Sequence, residues 1–270
     1  LHLSLRRQRQ MCIRDSSKTV QLRFTPGNNA IEEWYIISAS ADERARNLEK
    51  QFPMLQKLNR KTEVQAAFKI GQDSKEDSKI FAFLPTEQDS PIPCHINADF
   101  FPEQDRKALV LSGMQHEPHW NKMLLDFVAD EIANQLLQLR DVLGHAAVLN
   151  ILYKAQARQS DQHFKNFWIA LSNAAKKTPV VLTTLDKWII PQQVYIPPKE
   201  TSKEDEAVLE SLGLDLLYQA GRPYFNVLNA VGARQLNLTT LVEAVESRDR
   251  KVPADQSRSF DQGASRLSVS

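Results

Sequence analysis

Six histidines and two cysteines are the first residues to weigh for chemistry. Cys94-His95 and His116-Glu117-Pro118-His119 offer sulfur and imidazole donors. A zinc ion wants about four such donors in a tetrahedral array. The two later histidines stand three residues apart, and Pro118 between them is expected to disturb a helix there. These pairs therefore read as a polar loop with solvated histidines and a buried thiol, and no metal site is expected. His95, Asn97 and Asp99 alternate with Cys94, Ile96, Ala98 and Phe100, which gives a strand one polar and one apolar face. Asp105-Arg106-Lys107 follows two phenylalanines and Pro102. Two readings stand for that run. One is an anion-contacting loop presented by a strand. The other is a polar strand face followed by a charged helix start, with Asp105 capping the first turn. Spacing alone favours the second.

Other catalytic signatures are missing. The eight glycines occupy positions 27, 71, 113, 144, 213, 221, 232 and 263, so the nearest two are eight residues apart. A phosphate-cradling loop or a dinucleotide fingerprint needs closely spaced glycines, because its backbone must take conformations that side chains forbid. The chain also has no Gly-x-Ser-x-Gly elbow and no His-Glu-x-x-His. A complete catalytic site within this chain is not expected.

The elements that would position these residues follow from periodicity. Thr19–Thr25 alternates, with Val20, Leu22 and Phe24 on one face, and Pro26-Gly27-Asn28-Asn29 is a dense turn signal. Ile31–Ala39 resumes as a strand, so a hairpin is predicted. Ser40–Asn59 reads as helical with a break near Pro53. Lys61–Ile70 and Ile80–Leu84 read as two antiparallel strands joined by a polar loop. Ile92–Phe101 is a strand running into irregular chain. Trp120, Leu124, Val128, Ile132, Leu136, Leu139 and Leu143 recur at helical spacing up to Gly144. That predicts one helix of about 24 residues, roughly 36 Å long.

The texture changes after about residue 155. Helices are predicted at Phe164–Ala175, Glu204–Leu212, Tyr224–Val231 and Leu238–Glu246. Short strands are predicted at Val180–Thr183, Trp188–Ile190 and Leu214–Leu217. Pro191, Pro197 and Pro198 punctuate a surface segment. The expected fold class is α/β (α+β): a small mixed or antiparallel sheet packed on a long helix, followed by a second smaller α/β region. No internal repeat is visible.

Composition is that of a globular chain, 42% apolar and 25% charged. No run of about 18 apolar residues occurs, so no membrane-spanning helix is expected. Two cysteines make no disulfide framework, which points to a reducing, cytoplasmic setting. The net charge of +1 gives no clear nucleic-acid signal. Residues 1–16 resemble a translated sequencing adapter, begin with leucine and lack the roughly 7–15 apolar residues of a signal peptide. They hold four arginines and one aspartate, and without them 30 basic and 32 acidic residues remain. The polar tail 248–270 is expected to be disordered.

One segment carries a family resemblance. Phe83-Leu84-Pro85-Thr86, His95-Ile96-Asn97-Ala98-Asp99-Phe100, Asp105-Arg106-Lys107 and Trp120-Asn121 look like the segment that follows the nucleotide-binding domain in sacsin-type ATPases. That family is similar to the ninety-kilodalton heat-shock chaperone and belongs to the GHKL superfamily. Pro179-Val180-Val181, Trp188, Ile190-Pro191, Tyr195-Ile196-Pro197 and Leu212-Gly213-Leu214 extend the resemblance more weakly, over roughly residues 19–247. The family's nucleotide site would need an acidic residue and an asparagine on one helix, an Asp-x-Gly-x-Gly loop and a Gly-rich lid, and this chain has none of them.

The resemblance implies a fragment that lies after the ATP-binding core. With the change of texture near residue 155, the chain is expected to divide into an artefact (1–16), a middle-like α/β domain (17–155), a second small α/β region (156–247) and a tail (248–270). The resemblance implies ATP and Mg²⁺ for the full-length parent and none in the fragment. It implies as partners the missing ATPase domain of the same chain and client proteins, and a role in protein remodelling or quality control. By analogy with the chaperone's middle domain, Arg106 would sense the γ-phosphate. Two alternatives remain open: a non-catalytic interaction module, and part of a bacterial defence ATPase–nuclease.

Overall fold

The alternating pattern near the start does form a hairpin, and that hairpin begins a larger sheet. The computed structural model describes residues 16–23, 31–71 and 78–249. Most of the adapter-like start, the turn at 26–29, the polar connection at 72–77 and the tail from 250 lie outside the described residues. Ser16 is described, and it opens the first strand opposite Ser38.

The described residues form two compact units that part between Thr178 and Pro179. The change of texture near residue 155 is therefore not the structural division. The helix after it packs on the helix at 116–134 and belongs with the first unit.

The first unit holds a six-stranded mixed sheet with helices, an α+β arrangement. Its strands are β1 (Ser16–Arg23), β2 (Ile31–Ser40), β3 (Glu63–Lys69), β4 (Lys79–Ala82), β5 (Leu84–Asp89) and β6 (His95–Ala98). Their spatial order is β1-β2-β3-β6-β4-β5. β3 and β4 were expected to be partners, but β6 lies between them. It runs antiparallel to β3 and parallel to β4. Side chains alternate across the sheet as the pleat requires. Tyr35, Ile37, Val64, Ala66, Phe68, Ile80, Ala82, Ile96 and Ala98 are buried. Trp34, Lys69, Phe81, His95 and Asn97 alternate with them and are half-buried.

Helices cover the apolar face. α1 (Asp42–Gln51) and α2 (Met54–Leu58) part at Pro53 as expected. The predicted helix ending at Leu143 is two helices, α3 (His116–Asn134) and α4 (Leu136–Leu143). The chain turns between them at Gln135, whose side chain accepts a hydrogen bond from the Tyr35 hydroxyl at 2.9 Å. α3 is buried at Leu124, Leu125, Val128, Ala129, Ile132 and Ala133. So wide an apolar surface suits a helix packed on more than one neighbour, and α3 meets β2, β3 and α6 (Lys165–Ala175).

α5 (His145–Ala157) starts directly after Gly144. That residue has φ 85° and ψ 173°, a conformation essentially restricted to glycine, which lets one helix end and the next begin in a single residue. His145 is buried, and desolvation pushes its pKa down to about 4. The folded state holds this imidazole neutral, whereas the unfolded chain protonates it below about 6.5. Stability should therefore fall as pH drops from about 6.5 towards 4. Thermal melts of His145→Gln should show a shallower decline over that window than the parent sequence, and equal slopes would refute the assignment.

The second unit is made of short pieces. β7 (Val181–Leu182) and β8 (Trp188–Ile189) form an antiparallel pair around Asp186, which has φ 55°. β9 (Tyr195–Ile196) runs parallel to β10 (Arg234–Gln235). The proline-punctuated stretch is not a plain surface segment: Pro191, Val194 and Ile196 are buried. The predicted strand at Leu214–Leu217 makes only isolated bridges, Leu216 to Tyr195 and Leu217 to Thr183. α7 (Lys203–Ser211) carries a capping box between Ser202 and Asp205. α8 (Phe225–Ala230) and α9 (Leu238–Asp249) complete the unit.

Candidate functional site

β6 presents its polar face as the alternation predicts, but each polar residue has a different fate. Cys94, Ile96, Ala98 and Phe100 are buried. His95 stacks on Trp34 at 5.3 Å and meets the Phe81 ring edge-on. Its Nδ1 accepts the Lys79 backbone N–H at 3.0 Å, which ties the start of β4 to β6. Asn97 Oδ1 is buried without a hydrogen-bond partner. Asp99 is the most connected of the three. Its carboxylate accepts from Arg60 Nη1 at 2.5 Å and from the Lys61 backbone N–H at 2.9 Å. Its carbonyl accepts from Trp120 Nε1 at 2.9 Å. The Arg60 guanidinium lies 3.6 Å from the centre of the Phe101 ring, within cation–π range.

The chain after Asp99 is a loop held at its base. Asn121 is fully buried. Its Oδ1 accepts the Phe101 N–H at 2.7 Å, and its Nδ2 donates to the carbonyls of Phe101 and Val110 at 2.7 and 2.9 Å. One amide thus closes residues 101 and 110 together, and the Val110 N–H to Phe101 carbonyl bond at 3.0 Å completes the closure. Leu109 donates its N–H to Gln88 Oε1 at 2.8 Å. Asp105 does not cap a helix here. Its Oδ1 accepts the Lys107 N–H at 3.0 Å, closing an Asx turn.

Arg106 sits at the tip of this turn with φ 59°, a left-handed conformation uncommon for a residue with a Cβ. Its side chain is half-buried, and Nη2 donates to the Ala82 carbonyl at 2.9 Å. Lys107 is exposed. No ion pair joins Arg106 to Glu103 or Asp105 among the described residues.

The metal-donor candidates are engaged elsewhere. Burial pushes the Cys94 thiol up to about 12, which makes it a poor nucleophile and a poor ligand. His116 meets the Phe101 ring edge-on at 5.5 Å. His119 packs on Phe52 at 4.8 Å and bonds the Gln115 carbonyl through Nδ1 at 2.7 Å. Pro118 does not disturb the helix: it occupies the first turn of α3, where a missing N–H has no intrahelical partner to lose. Among the described residues no group of three His, Cys, Asp or Glu side chains could hold a metal ion. None of the described helices is long and apolar enough to cross a membrane.

What the site offers chemically is a fixed loop carrying one guanidinium and one ammonium, without a nucleophile–base pair. Arg60, Lys61 and Gln88 are the participants that sequence patterns did not single out. No family model, curated protein or solved structure matches this chain.

Proposed function

We propose that this chain is the part of a sacsin-like, GHKL-type ATPase that follows its nucleotide-binding core. The parent would use ATP and Mg²⁺ in the cytoplasm to remodel or triage client proteins. The observation that supports this reading is the convergence of the family-like residues on one object. Asp99 stands well before Trp120-Asn121 in sequence, yet the Trp120 indole bonds the Asp99 carbonyl where the loop begins, and Asn121 closes the loop that carries Arg106.

The described residues do not themselves fit a nucleotide–Mg²⁺ site. They offer no metal-holding group, and no two glycines stand closer than eight residues. The contribution assigned to this chain is a late-arriving arginine that meets the γ-phosphate when the preceding domain closes on it. Calorimetry on residues 17–247 alone should give no micromolar ATP binding, and a micromolar dissociation constant would sink the reading. ATP turnover and ATP affinity of the full-length parent, compared between Arg106→Ala and Lys107→Ala, test the arginine.

A second reading draws on a specific contact. Arg106 Nη2 is already bonded to the Ala82 carbonyl. If that is its whole role, Arg106 braces a hairpin and the chain is a non-catalytic interaction module. Arg106→Ala would then lower stability slightly and leave turnover unchanged.

A further inference from the structure

We infer that the tip of the β4–β5 hairpin, Phe83-Leu84-Pro85, is a docking plug for a protein surface that presents an apolar cleft edged by carboxylates. The other large apolar side chains described in this sheet are buried or half-buried. At the tip three consecutive apolar residues are exposed, Phe83 at 60% and Leu84 at 54%. A turn gives no structural reason for this. Phe83 has φ 63°, a left-handed conformation that asparagine or glycine adopts at lower cost than an aromatic residue. The phenyl ring is thus retained at a position where its backbone is strained and its surface is wet.

The tip is also held out from below. Arg106 Nη2 bonds the Ala82 carbonyl at 2.9 Å, and Thr86 Oγ1 donates to the Ile80 carbonyl at 2.8 Å. These bonds fix the residues on either side of the plug, whose own side chains stay mostly exposed.

Charge selects the partner. Lys61 is exposed, and its Nζ lies 5.4 Å from the centre of the Phe83 ring. Neither Lys61 nor Arg106 forms an ion pair among the described residues. Asp99 does not neutralise the Lys61 ammonium, because its oxygens bond the Arg60 guanidinium and the Lys61 backbone N–H. An exposed ring with unpaired cations beside it is complementary to an apolar cleft with an acidic rim. Leucine and proline next to the ring favour a protein cleft over a nucleic acid, whose bases would need further flat aromatic faces to stack on. This inference does not depend on whether the parent hydrolyses ATP.

The decisive variant is Phe83→Asn, which keeps a residue suited to the left-handed turn and removes the plug. Random peptides displayed on phage would be selected on the unmodified chain and then measured individually. The expected winners carry a large apolar residue flanked by Asp or Glu. They should bind Phe83→Asn and Lys61→Glu at least tenfold more weakly, while the melting temperature of Phe83→Asn is unchanged or raised by about 2–4 °C. Peptides that bind the variants equally well, or winners without acidic residues, would overturn the inference. A lower melting temperature for Phe83→Asn would also overturn it, by showing that the ring packs within this chain. So would a single-stranded oligonucleotide or an anionic phosphatidylserine vesicle that binds with the same dependence on Phe83 and Lys61.

Discussion

Asn121→Ala should lower the melting temperature of the first unit by about 8–16 °C. The side chain is fully buried and makes three hydrogen bonds, all to backbone groups of Phe101 and Val110. Alanine would leave the Phe101 N–H and the Val110 carbonyl without this partner, and the Phe101 carbonyl with the Val110 N–H alone, in a region that water reaches poorly. Each such loss costs about 1–3 kcal/mol, and a total of roughly 4 kcal/mol converts to the shift given. Asn121→Asp should be nearly as damaging. A carboxylate can accept from the Phe101 N–H, but it cannot donate to either carbonyl. Lys122→Ala is the control on the same helix. It removes a partly exposed pair with Asp126 at 3.1 Å, an interaction worth about 0–1 kcal/mol. Differential scanning calorimetry on the three variants checks the ranking. Similar, small shifts for Asn121 and Lys122 would remove the clamp from the account of the loop.

On the proposed ATPase reading, Arg106→Ala in the full-length enzyme should reduce ATP turnover by about 10³-fold while leaving ATP affinity nearly unchanged. An arginine that reaches the phosphate only in the closed state stabilises the transition state more than the ground state. The structural part of the effect is much smaller. Losing the bond to the Ala82 carbonyl costs about 1 kcal/mol, whereas a 10³-fold rate loss corresponds to about 4 kcal/mol. Arg106→Gly is the cleaner companion, because glycine takes φ 59° without steric cost and still removes the guanidinium. A phosphate-sensing arginine predicts that both variants are slow, including the one whose backbone is relaxed. Lys107→Ala should matter little, since its charge is exposed and screened. Equal and small effects at 106 and 107 would withdraw the role from Arg106.

Local signals made much of the first unit legible. The alternation around β1, β2 and β6, and the break at Pro53, depend on neighbours within a few residues. The order of the strands does not. Nothing in Lys61–Ile70 or Ile80–Leu84 records that a later strand will come between them, because pairing partners are chosen by the whole sheet. The break at Gln135 is similarly hidden. Glutamine is a good helix former, and its partner is Tyr35, a hundred positions away.

The loop shows the same division. Trp120-Asn121 stood out as a motif, and Asp99 as an isolated acid on a strand face. Their common purpose appears only once α3 lies beside the end of β6. Arg60 and Lys61 gave no signal, because a basic pair before a strand is an ordinary solvated feature. Arg106 was singled out by resemblance, and its left-handed backbone could not be read from residue types.

The position of β6 has a consequence for how the chain is built during synthesis. The strands made before it form two separate ribbons, β1-β2-β3 and β4-β5. Only the four residues His95–Ala98 join them, antiparallel on one side and parallel on the other. The strand that joins the two ribbons is therefore the last of the six to leave the ribosome. Until it arrives, β3 and β4 each expose an edge that can pair with a neighbouring nascent chain. Trp120 and Asn121, which seal the chain leaving β6, emerge later still. A chain stalled before His95 would thus carry two open ribbons with nothing to close them, a form expected to be prone to aggregate.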